Sequence, residues 1–272
     1  MASDRERWLV PPEAKVHLAE IDPRSTDGAP GDKVVTSAAQ PELAMRLAAL
    51  QERLYAESEQ ALLLILQGMD TSGKGGTVKH CLREVNPSGV RVSAFKAPNE
   101  VELAHDFLWR VHANVPRLGH IGVFDRSHYE DVLIVRLHGL VSEDVWRRRY
   151  DHIKAFEANL ADAGTTIVKV LLHISRDEQA KRLQARLDNP EKHWKFNVAD
   201  LDERKRWDDY QEAFEDTVEA TTTEHAPWYV VPADRKWYRN WAVMRILIET
   251  LEAMDPKFPP PESDLSAVTI PP

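Results

Sequence analysis

Apolar residues along this chain fall into two kinds of run. Five are short and nearly unbroken: Leu62–Leu66, Val90–Phe95, Ile121–Asp125, Thr165–Ile174 and Trp228–Val231. A run apolar at every position and bounded by turn residues reads as a strand buried on both faces, the mark of a parallel sheet. Between these runs the apolar positions recur at helical spacing. Pro41–Glu57 carries Leu43, Met45, Leu47, Leu50 and Leu54 on one side. Further helices are predicted over Thr77–Val85, Glu100–Ala113, Tyr129–His138, Glu143–Asp162, Asp177–Leu187, Asp202–Thr221 and Lys236–Ala253. Strands alternating with helices predict an α/β fold, a five-stranded, doubly wound parallel sheet with helices on both faces. The organisation expected is an irregular arm over residues 1–40, one domain over 41–255, and a Pro-rich tail over 256–272.

Composition narrows the function without deciding it. The chain has 272 residues, 43% hydrophobic and 29% charged, with a net charge of −9. That charge argues against general nucleic-acid binding, but not against a polyanion held on a local basic surface. The single cysteine, Cys81, excludes an internal disulfide and reads as a packed thiol. No apolar run approaches the roughly 18 residues of a membrane span, and MASDRERWLVPP has no apolar signal core, so a cytoplasmic protein is expected.

The candidate chemistry begins where the first strand ends. Gly68, Gly73 and Lys74 fit G-x-x-x-x-G-K, the pattern of a phosphate-cradling loop that opens a helix. Glycines let successive N–H groups turn inward on an anion, and the helix N-terminus adds partial positive charge. Gly68, Ser72, Gly73, Lys74, Gly75, Gly76 and Thr77 are the phosphate-binding candidates. The hydroxyl expected after the lysine is replaced by Gly75, and Thr77 comes two residues too late. Asp70, an acid inside an anion nest, implies a cation between it and the ligand, so it is read as facing Mg²⁺.

Asp125 ends a second apolar strand and stands where a Walker-B acid would, making Asp70 and Asp125 the metal candidates. Arg126 follows, with a planar guanidinium suited to a transferring phosphoryl group. A basic segment carries Arg182, Arg186, Lys192 and Lys195 and is expected to form a helical lid over about 181–200 that excludes water. Lys96, Arg117 and Glu130 are the acceptor-side candidates, with Arg110 as a partner. His128 has no ligand-spaced partner and is expected to make a structural hydrogen bond.

GMDTSGKGG, FDRSHYEDV, RLDNPEKHWKF and APWYVVPADRKWYRN together resemble the type-2 polyphosphate kinases, over about Leu43 to Ala253. FKAPNEVELAHDFLWR and ADRKWYR are most similar to the single-domain group that phosphorylates AMP and ADP; the DTSGKGG loop and Asp125 look more like ADP-specific members. The resemblance implies reversible, Mg²⁺-dependent phosphoryl transfer between inorganic polyphosphate and a nucleoside mono- or diphosphate (AMP or ADP, with GDP a further acceptor). It assigns the loop acid to Asp70, the loop lysine to Lys74, and the second acid and its arginine to Asp125 and Arg126. The lid bases fall on Arg182, Arg186, Lys192 and Lys195, and a homodimer or homotetramer is implied. Two other classes share these features: an ATP-dependent nucleoside monophosphate kinase and a non-catalytic nucleotide-binding regulator.

Overall fold

The computed structural model describes residues 4–261, 263 and 268–271; positions 1–3 of the expected arm and 262, 264–267 and 272 of the tail lie outside it. Its strands are β1 (Leu9–Val10), β2 (Ala61–Gln67), β3 (Val90–Ala94), β4 (Ile121–Asp125), β5 (Thr165–His173) and β6 (Trp228–Pro232). Its helices are α1 (Lys33–Glu57), α2 (Lys74–Cys81), α3 (Glu100–Leu103), α4 (Trp109–His112), α5 (Glu130–Leu137), α6 (Glu143–Asp162), α7 (Arg176–Leu187), α8 (Ala199–Lys205), α9 (Trp207–Thr221) and α10 (Lys236–Met254). Strand order is β1-β6-β5-β2-β4-β3. The five predicted strands pair in parallel, and α1, α2 and α10 form one helical layer while α5, α6 and α9 form another. No helix among the described residues is long and apolar enough to cross a membrane.

Parallel register places the chemistry. β2 pairs with β4 from Leu62 opposite Ile121 to Leu66 opposite Asp125. Both strands therefore end at the same edge, and the loops that leave them start side by side. β2 is buried along its whole length, as its unbroken apolar sequence requires.

Three expectations change. A sixth strand, β1, pairs antiparallel with β6 (Leu9 opposite Tyr229, Val10 opposite Trp228), so the sheet has one strand more than the five predicted. Two residues are too few to show a period, which hid it. The arm is also anchored: Trp8 is buried, its indole N–H donates to Tyr238 Oη (3.0 Å), and Val230 N–H donates to Trp8 O (2.8 Å). Second, α1 starts at Lys33, because Asp32 caps it by accepting from Val34 N (2.8 Å) and Val35 N (3.0 Å). Pro41, read as a first-turn residue, lies inside the helix and is held there as α1 packs along α10. Third, the single helix predicted over Glu100–Ala113 is two short turns. Asn99 and Glu102 form a capping box on α3, while the Asp106 side chain accepts from Leu108 N and starts a new turn. The helix predicted from Asp202 likewise divides at Arg206 into α8 and α9.

Trp8→Ala is expected to lower stability by about 3–5 kcal/mol, the usual cost of truncating a buried tryptophan. Urea unfolding of the purified variant checks this; a change under 1 kcal/mol would mean the arm is a loose appendage.

Candidate functional site

The loop from Gly68 to Gly73 runs from β2 into α2 with its backbone bent at special angles. Gly68 has φ +141° and Gly73 φ +107°, both favouring glycine, and Thr71 takes φ +68° despite its side chain. A Cβ at Gly73 would lie 1.8 Å from Arg239 Nη1, and one at Gly68 2.7 Å from Leu172 O, so space as well as angle calls for glycine at both.

A loop that turns N–H groups toward an anion turns carbonyls outward, and here each finds a donor. Lys74 Nζ donates to Gly68 O (2.8 Å) and Met69 O (3.5 Å). Gln179 of α7 donates to Asp70 O (3.2 Å). Arg182 donates to Thr71 O and Ser72 O (2.9 Å each), and Arg239 to Ser72 O (3.2 Å). The Thr77 hydroxyl donates to Gly73 O (3.1 Å), so it serves the backbone of its own helix and not a ligand. The buried hydroxyls of Thr71 and Ser72 have no hydrogen-bond partner among the described residues.

Lys74 is buried, and burial holds its ammonium below the usual lysine range, with nearby Asp70 opposing the shift. Asp70 accepts from Arg126 Nη2 (2.6 Å), and Arg126 Nη1 lies 3.6 Å from Glu130. Burial pulls the Arg126 guanidinium down, but Glu130 and Asp70 reverse that and hold it above its ordinary value. Glu130 is raised by burial, against the pull of Arg126 and Lys74. Asp125 Oδ2 would lie 3.5 Å from a Cβ at position 75, so its carboxylate faces the place where a loop hydroxyl would stand.

Asp70, Lys74, Asp125, Arg126 and Glu130 therefore come together at one sheet edge; Glu130 joins the phosphate-loop group. The other candidates divide. Arg182 does not reach outward: its five N–H groups are taken by Glu178, Thr71 O, Ser72 O, Ala233 O and Asp234 O. It ties the loop to the β6–α10 connection, a role that helical spacing could not reveal. Arg186 donates to Lys195 O (2.9 Å) and lies 3.6 Å from Asp200, whose carboxyl is raised by burial and by nearby Asp70. That puts the start of α8 over the site. Lys192 and Lys195 are exposed, in a 3₁₀ turn over Pro190–Lys195. Lys96 is exposed and its carbonyl accepts from Arg110 (2.8 Å). Arg117 precedes β4, at the sheet edge opposite Asp125, and the structure does not bring it to the cluster. Cys81 is buried, and its thiol is pushed up to about 12 by burial. His128 makes the structural hydrogen bond expected of it, to Glu157 (3.2 Å).

Gln179, Arg239 and Asp200 are not singled out by the sequence. Arg239 is buried and pushed down to about 10, by burial and then by Arg182. It sits in the ADRKWYRN stretch, which was recognised only as a whole. A cleft of 550 Å³ beside the start of α10 has Lys33, Arg83, Arg235 and Lys236 in its walls, together with Glu178 and Asp234.

No group of three or more His, Cys, Asp or Glu side chains able to hold a metal occurs among the described residues. The carboxylates at hand, Asp125 and Asp70, fit a divalent ion bound through one or two carboxylates and substrate phosphates.

Arg182→Lys keeps the charge but supplies three donors in place of five. It is expected to cost about 2 kcal/mol or more in urea unfolding and to weaken anion binding at the loop. Unchanged stability and unchanged tripolyphosphate affinity by calorimetry would contradict the strut.

The profile of the family described as Polyphosphate kinase 2 matches residues 31–259. The chain is 52% identical over 265 residues to the AMP/ADP-polyphosphate phosphotransferase of Meiothermus ruber, covering 97% of this chain and 99% of that one. It is 48% identical over 226 residues to the ADP-polyphosphate phosphotransferase of Rhodopseudomonas palustris, covering 79% and 78% of the two chains. The crystal structure of polyphosphate kinase 2 from Arthrobacter aurescens superposes with a TM-score of 0.93 at 49% identity, covering 96% of this chain and 93% of that one. With the phosphate loop, the strand-end acid and the shared fold all in agreement, the chain belongs to the polyphosphate kinase 2 family.

Proposed function

We propose that this protein transfers the terminal phosphoryl group of inorganic polyphosphate to AMP or ADP, reversibly and with Mg²⁺. The observation that carries the reading is the meeting of Lys74, Asp125 and the Arg126–Asp70–Glu130 group at the mouth of one anion nest. Transfer of this kind needs positioning and charge neutralisation more than covalent chemistry. When bound, Mg²⁺ would neutralise charge on the phosphate oxygens, held by Asp125 and Asp70.

The chain's own groups account for the rest. The inward N–H groups of the loop seat one polyphosphate unit. Lys74 leaves the carbonyls of Gly68 and Met69 for the incoming phosphate, which offers a charged acceptor. Arg126 exchanges Asp70 for the transferring group. A phosphate oxygen of the nucleotide bonds to the terminal phosphorus, whose bond to the bridging oxygen breaks, and that oxygen leaves as the new end of a polyphosphate one unit shorter. Lys33, Arg83, Arg235 and Lys236 offer the rest of the donor a basic surface within a chain of net charge −9. Because Arg182 fixes α7 to the loop, the mobile part of the expected lid is the segment 188–200 that follows it. Its closure, with Lys192, Lys195 and the adjoining Arg186, excludes water and so suppresses hydrolysis. The protein is proposed to be cytoplasmic and to work as a homodimer or homotetramer.

Incubation with polyphosphate, Mg²⁺ and either AMP or ADP, without ATP, tests the reading. ADP and then ATP from AMP is the expected result. No product from either, with turnover on ATP plus a nucleoside monophosphate, would make it an ordinary nucleotide kinase. Lys74→Ala and Asp125→Asn are each expected to lower kcat by at least about a hundredfold without unfolding the chain, checked by circular dichroism. Full activity in either folded variant would overturn the site.

A further inference from the structure

A buried ionic cluster lies beneath the turn that joins β4 to α5. Glu157 of α6 accepts from Lys169 Nζ of β5 (2.6 Å), Tyr129 Oη (2.7 Å) and His128 Nε2 (3.2 Å). Lys169 gives its other protons to Tyr129 Oη (3.0 Å) and to Thr221 O (2.7 Å). All four of these side chains are fully buried. A buried ammonium–carboxylate pair stabilises a fold little more than apolar side chains of the same volume would. What the cluster holds is therefore more informative than its own energy.

It holds the two residues in the middle of the segment that carries Asp125, Arg126 and Glu130. Arg126 has φ +64°, a left-handed conformation that an L side chain keeps only when its surroundings over-determine it. From above, Arg126 N–H donates to Leu66 O (3.2 Å), which ties the turn to the end of β2. From below, His128 and Tyr129 are bound to the cluster. The turn is gripped on both sides of its strained residue.

We propose that His128, Tyr129, Glu157 and Lys169 are positioning residues that hold this turn, and through it aim Asp125 and Arg126 at the phosphoryl group. The proposal rests on the functional reading of Asp125 and Arg126 given above. It predicts an effect on turnover that exceeds the effect on donor binding, because the phosphate loop itself is braced independently by Gln179, Arg182 and Arg239.

Tyr129→Phe removes one hydroxyl and keeps the ring, so the fold should survive. It is expected to lower kcat about tenfold or more, with the KM for polyphosphate within about twofold. His128→Leu should do the same, and His128→Gln, which restores an N–H donor, should recover much of the loss. Leu251→Ala, buried in α10 away from the turn, serves as the control for lost stability alone and should keep kcat. Hydrogen exchange of the amides of residues 126–131 gives a readout that needs no substrate; Tyr129→Phe should weaken their protection and Leu251→Ala should not. Tyr129→Phe with full kcat and full protection would overturn the proposal. A wild-type chain inactive on polyphosphate would sink the functional reading instead, while the exchange data would still judge the clamp.

Discussion

A loop that presents N–H groups to an anion must present its carbonyls to the protein, and a buried carbonyl without a donor is costly. The rest of this structure depends on how that demand is met. From Gly68 to Gly73, successive carbonyls are taken by Lys74, Gln179, Arg182, Arg239 and Thr77. These donors come from α2, α7 and α10, so the loop is shaped by three helices at once. Gln179 and Arg182 lie three apart on α7 and reach neighbouring carbonyls, Asp70 O and Thr71 O. Arg239 also explains Gly73: a side chain there would enter the space that its guanidinium occupies.

This bracing divides the basic residues into two sets with different work. Arg182 and Arg239 face the back of the loop and are buried, so their charges shape the field without touching a ligand. Lys74 and Arg126 face the mouth and have partners they can exchange. Lys74 rests on backbone carbonyls, while Arg126 rests on Asp70. A phosphate oxygen competes well with a carbonyl for an ammonium, since both partners then carry full charge. The net charge of −9 is compatible with anion binding here, because the loop N–H groups, Lys74 and Arg126 act locally while Asp70, Asp125 and Glu130 balance them.

The opposite arrangement holds at the β4–α5 turn. There an acid and its arginine stand at the end of a central strand, and the backbone at Arg126 is strained. Strain of that kind persists where surrounding contacts leave no alternative. The hydrogen bonds of Gln67 to Ser127 (3.1 Å) and of Arg126 N–H to Leu66 O (3.2 Å) join the turn to β2. The phosphate loop and the acid turn are therefore parts of one unit, set by adjacent parallel strands.

Much of this was legible in the residues themselves. Short, nearly unbroken apolar runs bounded by turn residues point to buried strands, so the five parallel strands followed from pattern, although β3, at the edge of the sheet, is mostly exposed. Gly68, Gly73 and Lys74 declared the anion nest, because their spacing serves backbone chemistry that is local. Asp125 and Arg126 were legible for the same reason, standing where an apolar run stops. Other features were decided by tertiary structure alone. Arg182 looked like a lid residue, since sequence shows a charge but not its partners; burial behind the loop made it a strut. Arg117 and Lys96 looked equivalent, yet they stand at opposite ends of the sheet. Trp8 looked like part of an irregular arm, and its burial against Tyr238 and the edge of β6 comes from contacts more than 200 residues apart. Local spacing determines what a loop can hold, whereas long-range packing determines which charged groups remain free to hold it.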